Sequence, residues 1–143
     1  MNIRSPDIYR AQLDSLDVEN EPMYQPGYLV PNSTWCNRVV SDATERLRCP
    51  VPLMLANEQH AWLSDERGKA AGWIRLVDFG AAVAAADIGQ PTIASWANPA
   101  GQHGHIALVR PGGHITQAGA HNHNDAPLAR GFGDLQPDWF THS

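Results

Sequence analysis

Positive charge is scarce in this chain. Ten Lys and Arg stand against fifteen Asp and Glu in 143 residues, a formal net charge of −5 with histidine neutral. No basic run exists, and a phosphate backbone or an anionic lipid surface is held by clustered Lys and Arg. Nucleic acid is therefore not an expected partner. Long apolar runs are missing as well: no stretch approaches the roughly 20 apolar residues that cross a bilayer, so no membrane span is expected. The opening MNIRSPDIYRAQLDSLDVENEP carries acids where a signal peptide needs an apolar block. The chain is expected to be made in the cytoplasm without a Sec signal. Cysteine is limited to Cys36 and Cys49, which is no disulfide framework, and a helix between them would hold them too far apart to bridge.

Turn formers are plentiful. Eleven prolines and twelve glycines fall between short periodic segments, which implies one loop-rich α+β domain. Residues 1–31 read as an extended lead-in packed on the domain, with a short helix around Ile8 to Leu16. In NSTWCNRVVSDATERLRCP the spacing of Trp35, Val39, Val40, Ala43 and Leu47 predicts a helix over 34–48, capped by Ser33 or Thr34 and closed by Pro50 and Pro52. Leu55, Gln59, Trp62 and Leu63 share a face of a second helix over 53–63, and SDERGK reads as the break after it. An alanine-rich third helix is expected over 78–87. PTIASWA, GHIALVR and HITQAG are short, partly β-branched and separated by turn signals, the pattern of an antiparallel meander. The tail HNHNDAPLARGFGDLQPDWFTHS should be loop with a last short strand, HNHND lying in a polar loop. The expected architecture is N-terminal helices packed on a small antiparallel β-sheet, with residues 32–143 as a single catalytic domain.

Cys36 falls in the first turn of the helix, where unpaired N–H groups and the macrodipole favour a thiolate. A thiolate nucleophile needs an imidazole to pair with it and to protonate the leaving group. Of seven histidines, His105 stands best, opening an apolar strand just after Gly104, which leaves room for substrate. The ring then needs a polar partner on its other nitrogen. With a tight turn at Pro111 to Gly113 the next strand folds back and brings Gln117, twelve residues on, near the register of His105. Asn122 and Asn124 remain alternatives for that third position.

The order of TWCNRVV, GHIALV and ITQAG resembles the papain-like cell-wall peptidases, the NlpC-type endopeptidases and their CHAP amidase relatives, over roughly residues 32–120. The resemblance implies a papain-like core with Cys36 as nucleophile, His105 as general base and acid, and Gln117 as the third residue. It implies cleavage of amide bonds in peptidoglycan stem peptides or crosslinks, with no cofactor and no metal. In the NlpC-type enzymes a tyrosine upstream of the nucleophile lines the oxyanion site, for which Tyr24 and Tyr28 are candidates. Trp35, Asn37, Tyr28 and Gly104 are expected to line the substrate groove. Such an enzyme without a leader would reach the wall or periplasm of a target cell as an antibacterial secreted effector or a phage lysin, an effector calling for a cognate immunity protein.

Two other readings use the same residues. The thiol and imidazole also suit a papain-like deamidase or transglutaminase acting on a protein. Alternatively Cys36 is packing, and the His-rich half, HGH at 103–105 with HNHND at 121–125, is a non-catalytic zinc-binding module. Cys49 sits at a helix end without a favourable dipole and reads as structural.

Overall fold

The computed structural model of the chain describes residues 4–101 and 103–143; the first three residues of the lead-in therefore lie outside the described residues. The mixed α+β character is as expected, and its centre is a six-stranded sheet of order β1-β6-β2-β3-β4-β5. The strands are β1 Trp73–Leu76, β2 Thr92–Trp96, β3 His105–Val109, β4 Ile115–Gln117, β5 His123–Ala126 and β6 Asp138–His142, and every pairing is antiparallel. Four consecutive residues of β2, Thr92 to Ser95, and four of β3, Ile106 to Val109, are fully buried. Side chains alternate between the two faces of a strand, so both faces of the central strands are covered.

The lead-in forms part of that cover. Ser5 caps α1 (Pro6–Ser15) by accepting from the Ile8 N–H, and Pro6 supplies the fixed φ of a first helical residue. Tyr9 and Leu13, four residues apart on one face, enter the core, followed by Leu16 and Val18. The Tyr9 hydroxyl donates to the Val109 carbonyl at 2.6 Å and accepts from the Thr92 N–H at 3.1 Å, tying α1 to two strands. Burial pushes this phenol far above its ordinary range.

Helix α2 is Cys36–Arg46, shorter at both ends than the 34–48 expected. Its buried stripe of Cys36, Val39, Val40, Ala43 and Thr44 packs on β3. Neither Ser33 nor Thr34 caps it; Trp35 occupies the cap position without a side-chain hydrogen bond. Helix α3 (Ala56–Ser64) buries Ala56, Gln59, Trp62 and Leu63. The SDERGK stretch does not break the chain but forms α4 (Glu66–Ala70), because Asp65 accepts from the Arg67 N–H and starts a new turn. Helix α5 (Phe79–Asp87) begins after an Asp78 cap on the Ala81 N–H.

Three further elements depart from the sequence reading. Residues 73–76 form β1, a strand too short to carry a visible alternation. The HNHND segment, expected as a polar loop, holds β5, which pairs with β4 across a register shift that sets Gln117 opposite His123. Residues Leu128–Phe132 form a short helix, α6. The final strand, β6, inserts between β1 and β2 instead of extending the meander.

Candidate active site

Cys36 is the first residue of α2 and is 7% exposed. The backbone N–H groups of Ile106, the residue after His105, and of Asn37 and Cys36 itself lie near its sulfur and favour the thiolate. Helix head and strand start therefore meet at the thiol. Burial pushes the thiol pKa up, and those backbone donors only partly offset it. The lowered pKa expected from the helix dipole is overridden by desolvation.

His105 opens β3 opposite Trp96. Its Nε2 lies 2.5 Å from Oε1 of Gln117. The polarity of the Gln117 amide is fixed from behind, since its Nε2 donates to the His121 carbonyl at 2.9 Å and to Nδ1 of His123 at 3.0 Å. A carbonyl can only accept, so Oε1 must face His105, and the His105 ring must carry its proton on Nε2. Nδ1 is left as the basic nitrogen. Burial pushes the imidazole pKa down, and the Gln117 contact opposes this only in part. Both shifts favour the neutral forms, thiol and imidazole. Among the described residues no hydrogen bond joins them.

Helix α6 packs against this arrangement through two successive residues. The Phe132 ring packs on the His105 imidazole with centroids 4.8 Å apart. A side chain at Gly131 would collide with the Gln117 amide, so glycine lets the helix approach the ring's partner. Arg130 projects to the surface beside them. None of these was among the sequence candidates; the RGFG run was legible only as a turn signal.

Four neighbouring depressions surround the pair, each sharing wall residues with the next. The thiol-side depression, about 250 Å³, is lined by Val30, Thr34, Trp35, Cys36, Asn37, Leu55, His103 and Gly104 among others. It continues past Leu55, Ala56 and His103 to Asn57 and Glu58. Thr34 is the ridge to the imidazole side, about 180 Å³, lined by His105, Gln117, Gly119, His121 and Arg130. Beyond it opens a wider depression of about 550 Å³ with Gln25, His123 and Arg130 in its wall. The rim of the thiol side is apolar: Leu29 is 76% exposed and held at φ +62°, beside exposed Val30 and Leu55.

The remaining sequence candidates are placed as follows. Trp35, Asn37 and Gly104 line the thiol side. Asn37 also donates to the Met54 carbonyl, tying α2 to the segment before α3. Gly104 is required by close approach, since a side chain there would meet Asn57 and the Trp96 carbonyl. Tyr28 stacks edge-on against Trp35 at 6.5 Å and lies outside the groove lining. Tyr24 is buried and its hydroxyl donates to Asp42 at 2.6 Å. Asn122 donates to the Val18 and Tyr24 carbonyls, and Asn124 accepts from the Glu19 N–H, so both anchor the lead-in while Gln117 takes His105. Cys49 is free and buried, its pKa pushed up to about 11 by burial. Among the described residues no three His, Cys, Asp or Glu side chains converge to hold a metal ion, so the zinc reading finds no ligand set there.

No protein-family model matches the chain, and no curated protein is significantly similar to it. No helix among the described residues is long and apolar enough to cross a membrane.

Proposed function

We propose that the protein is a papain-like cysteine hydrolase that cleaves amide bonds in peptidoglycan stem peptides or crosslinks. The observation that carries this reading is the His105–Gln117 contact, whose amide polarity makes Nδ1 the basic nitrogen at the end of β3 that also meets the Cys36 sulfur. Depressions on either side of Thr34, one lined by Cys36 and the other by His105, suit an extended, peptide-like substrate.

In this scheme substrate brings the carbonyl carbon onto Sγ. The S–C bond forms as the thiol proton passes to Nδ1 of His105, while Nε2–H stays on Gln117. The oxyanion is met by the N–H groups of Cys36 and Asn37 at the head of α2, since Trp35 offers no capping side chain and Asn37 Oδ1 takes only the Arg38 N–H. Nδ1 then gives the proton to the departing amine as the C–N bond breaks. Water attacks the thioester, returning the thiol and releasing the acid. The chemistry needs the pair to hold one shared proton. Activity should therefore fall in acid only below the ordinary histidine value of about 6.5, and in base only above the ordinary thiol value of about 8.5.

Delivery to the wall of a target cell by a secretion machine or by phage lysis fits this activity, and the apolar lip at Leu29, Val30 and Leu55 is where an immunity protein would close the groove. The test is mass spectrometry of purified sacculi treated with wild-type protein or Cys36→Ala. New stem-peptide fragments with wild type alone support the reading and identify the bond. Sacculi left intact by a folded wild-type protein refute it.

A further inference from the structure

In a chain of net charge −5, one arginine stands in the groove with nothing to neutralise it. The Arg130 side chain is exposed and lines both the imidazole-side depression and its wide continuation. Among the described residues it makes no ion pair, side-chain hydrogen bond or ring contact. No carboxylate lines either depression. Among the described residues no ion pair joins Arg130 to Asp134, the exposed acid four residues on, while Asp125 pairs with Arg110 and His114 and Glu19 accepts from the Asn124 N–H.

The neighbours of Arg130 point the same way. His123 accepts the Gln117 amide on Nδ1, so its neutral ring carries a proton on Nε2 and is a donor. His121, exposed in both linings, adds a second imidazole. The wall thus offers a guanidinium and ring N–H groups with no fixed anion opposite, and guanidinium is the side chain whose planar fork matches a carboxylate. Its position relative to the reacting atoms is also fixed, because the next two residues of α6 pack on Gln117 and on His105.

We propose that Arg130, flanked by His121 and His123, forms a carboxylate-binding subsite that selects peptides bearing a free carboxylate on the imidazole side of the scissile amide. The selection of a cleaved substrate rests on the reading of Cys36 as nucleophile; the binding does not. Stem peptides amidated at that carboxyl become poor ligands, since a carboxamide brings no charge to the guanidinium.

The experiment uses two synthetic peptides, L-Ala–γ-D-Glu–L-Lys–D-Ala–D-Ala and its counterpart with every carboxylate converted to carboxamide. Binding is measured by calorimetry to Cys36→Ala protein with and without Arg130→Gln, and cleavage is followed with wild type. The carboxylate peptide is expected to bind about tenfold tighter or more, a charge-assisted contact. Arg130→Gln should bring the ratio close to one, and Arg130→Lys should keep part of it. Binding preference lost on Arg130→Gln, without cleavage by wild type, upholds the subsite and counts against the hydrolase. Cleavage of both peptides with no preference, or a preference that survives Arg130→Gln, overturns the subsite and leaves the hydrolase standing. Failure of the carboxylate peptide to bind the folded Cys36→Ala protein overturns the subsite.

Discussion

Replacing Gln117 by Glu tests the electrostatics of the site without needing a substrate. The amide oxygen 2.5 Å from Nε2 of His105 becomes a carboxylate oxygen. At an effective dielectric near 20, opposite charges about 4 Å apart attract by roughly 4 kcal/mol, which corresponds to about 3 pH units. Two features of the structure reduce this. Gln117 is 3% exposed, so the carboxylate must itself be desolvated, and it would face the His121 carbonyl that now accepts from the amide. A net rise of about 1 to 2 pH units for His105 is expected. The loss of stability in acid should shrink accordingly, and its sign reverses where the rise carries the pKa above about 6.5. In the native protein the His105 pKa is lowered, so the unfolded chain takes up the proton first and stability falls as pH drops below about 6.5 toward the folded value. In a variant whose pKa exceeds about 6.5, the contribution is fully present below about 6.5 and lost as pH rises through the folded value. The assay is an NMR titration of the His105 Cε1–H in both proteins, assigned with His105→Asn, alongside urea unfolding at pH 5.5 and 7.5. A His105 that titrates unchanged in the folded variant would refute the contact as the ring's governing partner. A native ring titrating above the ordinary value would refute burial as the dominant effect.

The thiols give a second test: iodoacetamide should label both Cys36 and Cys49 slowly in the folded protein at pH 7, with rates rising about tenfold per pH unit toward pH 9. A Cys36 already at its maximal rate at pH 7 would mean that an ion pair exists at rest. Gly131→Ala drives a methyl group into the Gln117 amide and to 2.7 Å from Ile115 Cδ1, and should destabilise the fold by about 1 to 3 kcal/mol. Thermal unfolding within about 1 °C of wild type would show that α6 yields freely. Tyr9→Phe removes the hydroxyl that joins the Val109 carbonyl and Thr92 N–H, leaving buried backbone groups unpaired at a cost of about 1 to 3 kcal/mol. Unchanged urea unfolding would show that α1 is not tied to the sheet through that hydroxyl.

The elements legible in the sequence are those that carry their own pattern. The α2 stripe of Val39, Val40 and Ala43 repeats at helical spacing, and the runs around Ile93, Ile106 and Ile115 are bounded by turn formers. Their boundaries shifted because caps are decided by backbone geometry: Trp35, not a hydroxyl residue, precedes α2. Elements set by tertiary context were not legible. Strand β5 exists because β4 offers it an edge, and its polar side chains are half-exposed or exposed. Strand β6 was visible as a strand, but no local signal says that it lies between β1 and β2. The His105–Gln117 pairing was readable from one hairpin's length. The ionisation of Cys36 was not, because a helix dipole is a local property and desolvation is a property of everything packed around the sulfur.

Burial of the thiol and imidazole has a consequence for how the site is built. A resting ion pair would have to be stabilised against desolvation at all times, whereas a neutral pair lets close packing coexist with a reactive sulfur. In the proposed hydrolase the charge would form only when substrate supplies an electrophile and an oxyanion forms beside the α2 N–H groups. That arrangement places the burden on geometry: Phe132 must hold the ring plane, Gln117 must fix the tautomer, and His121 with His123 must fix Gln117. Disturbing any of these should leave thiol accessibility little changed while removing the directed base. A substitution such as Phe132→Ala should therefore reduce turnover more than it alters iodoacetamide labelling at high pH, and parallel loss of both would show that α6 acts through packing of the thiol instead.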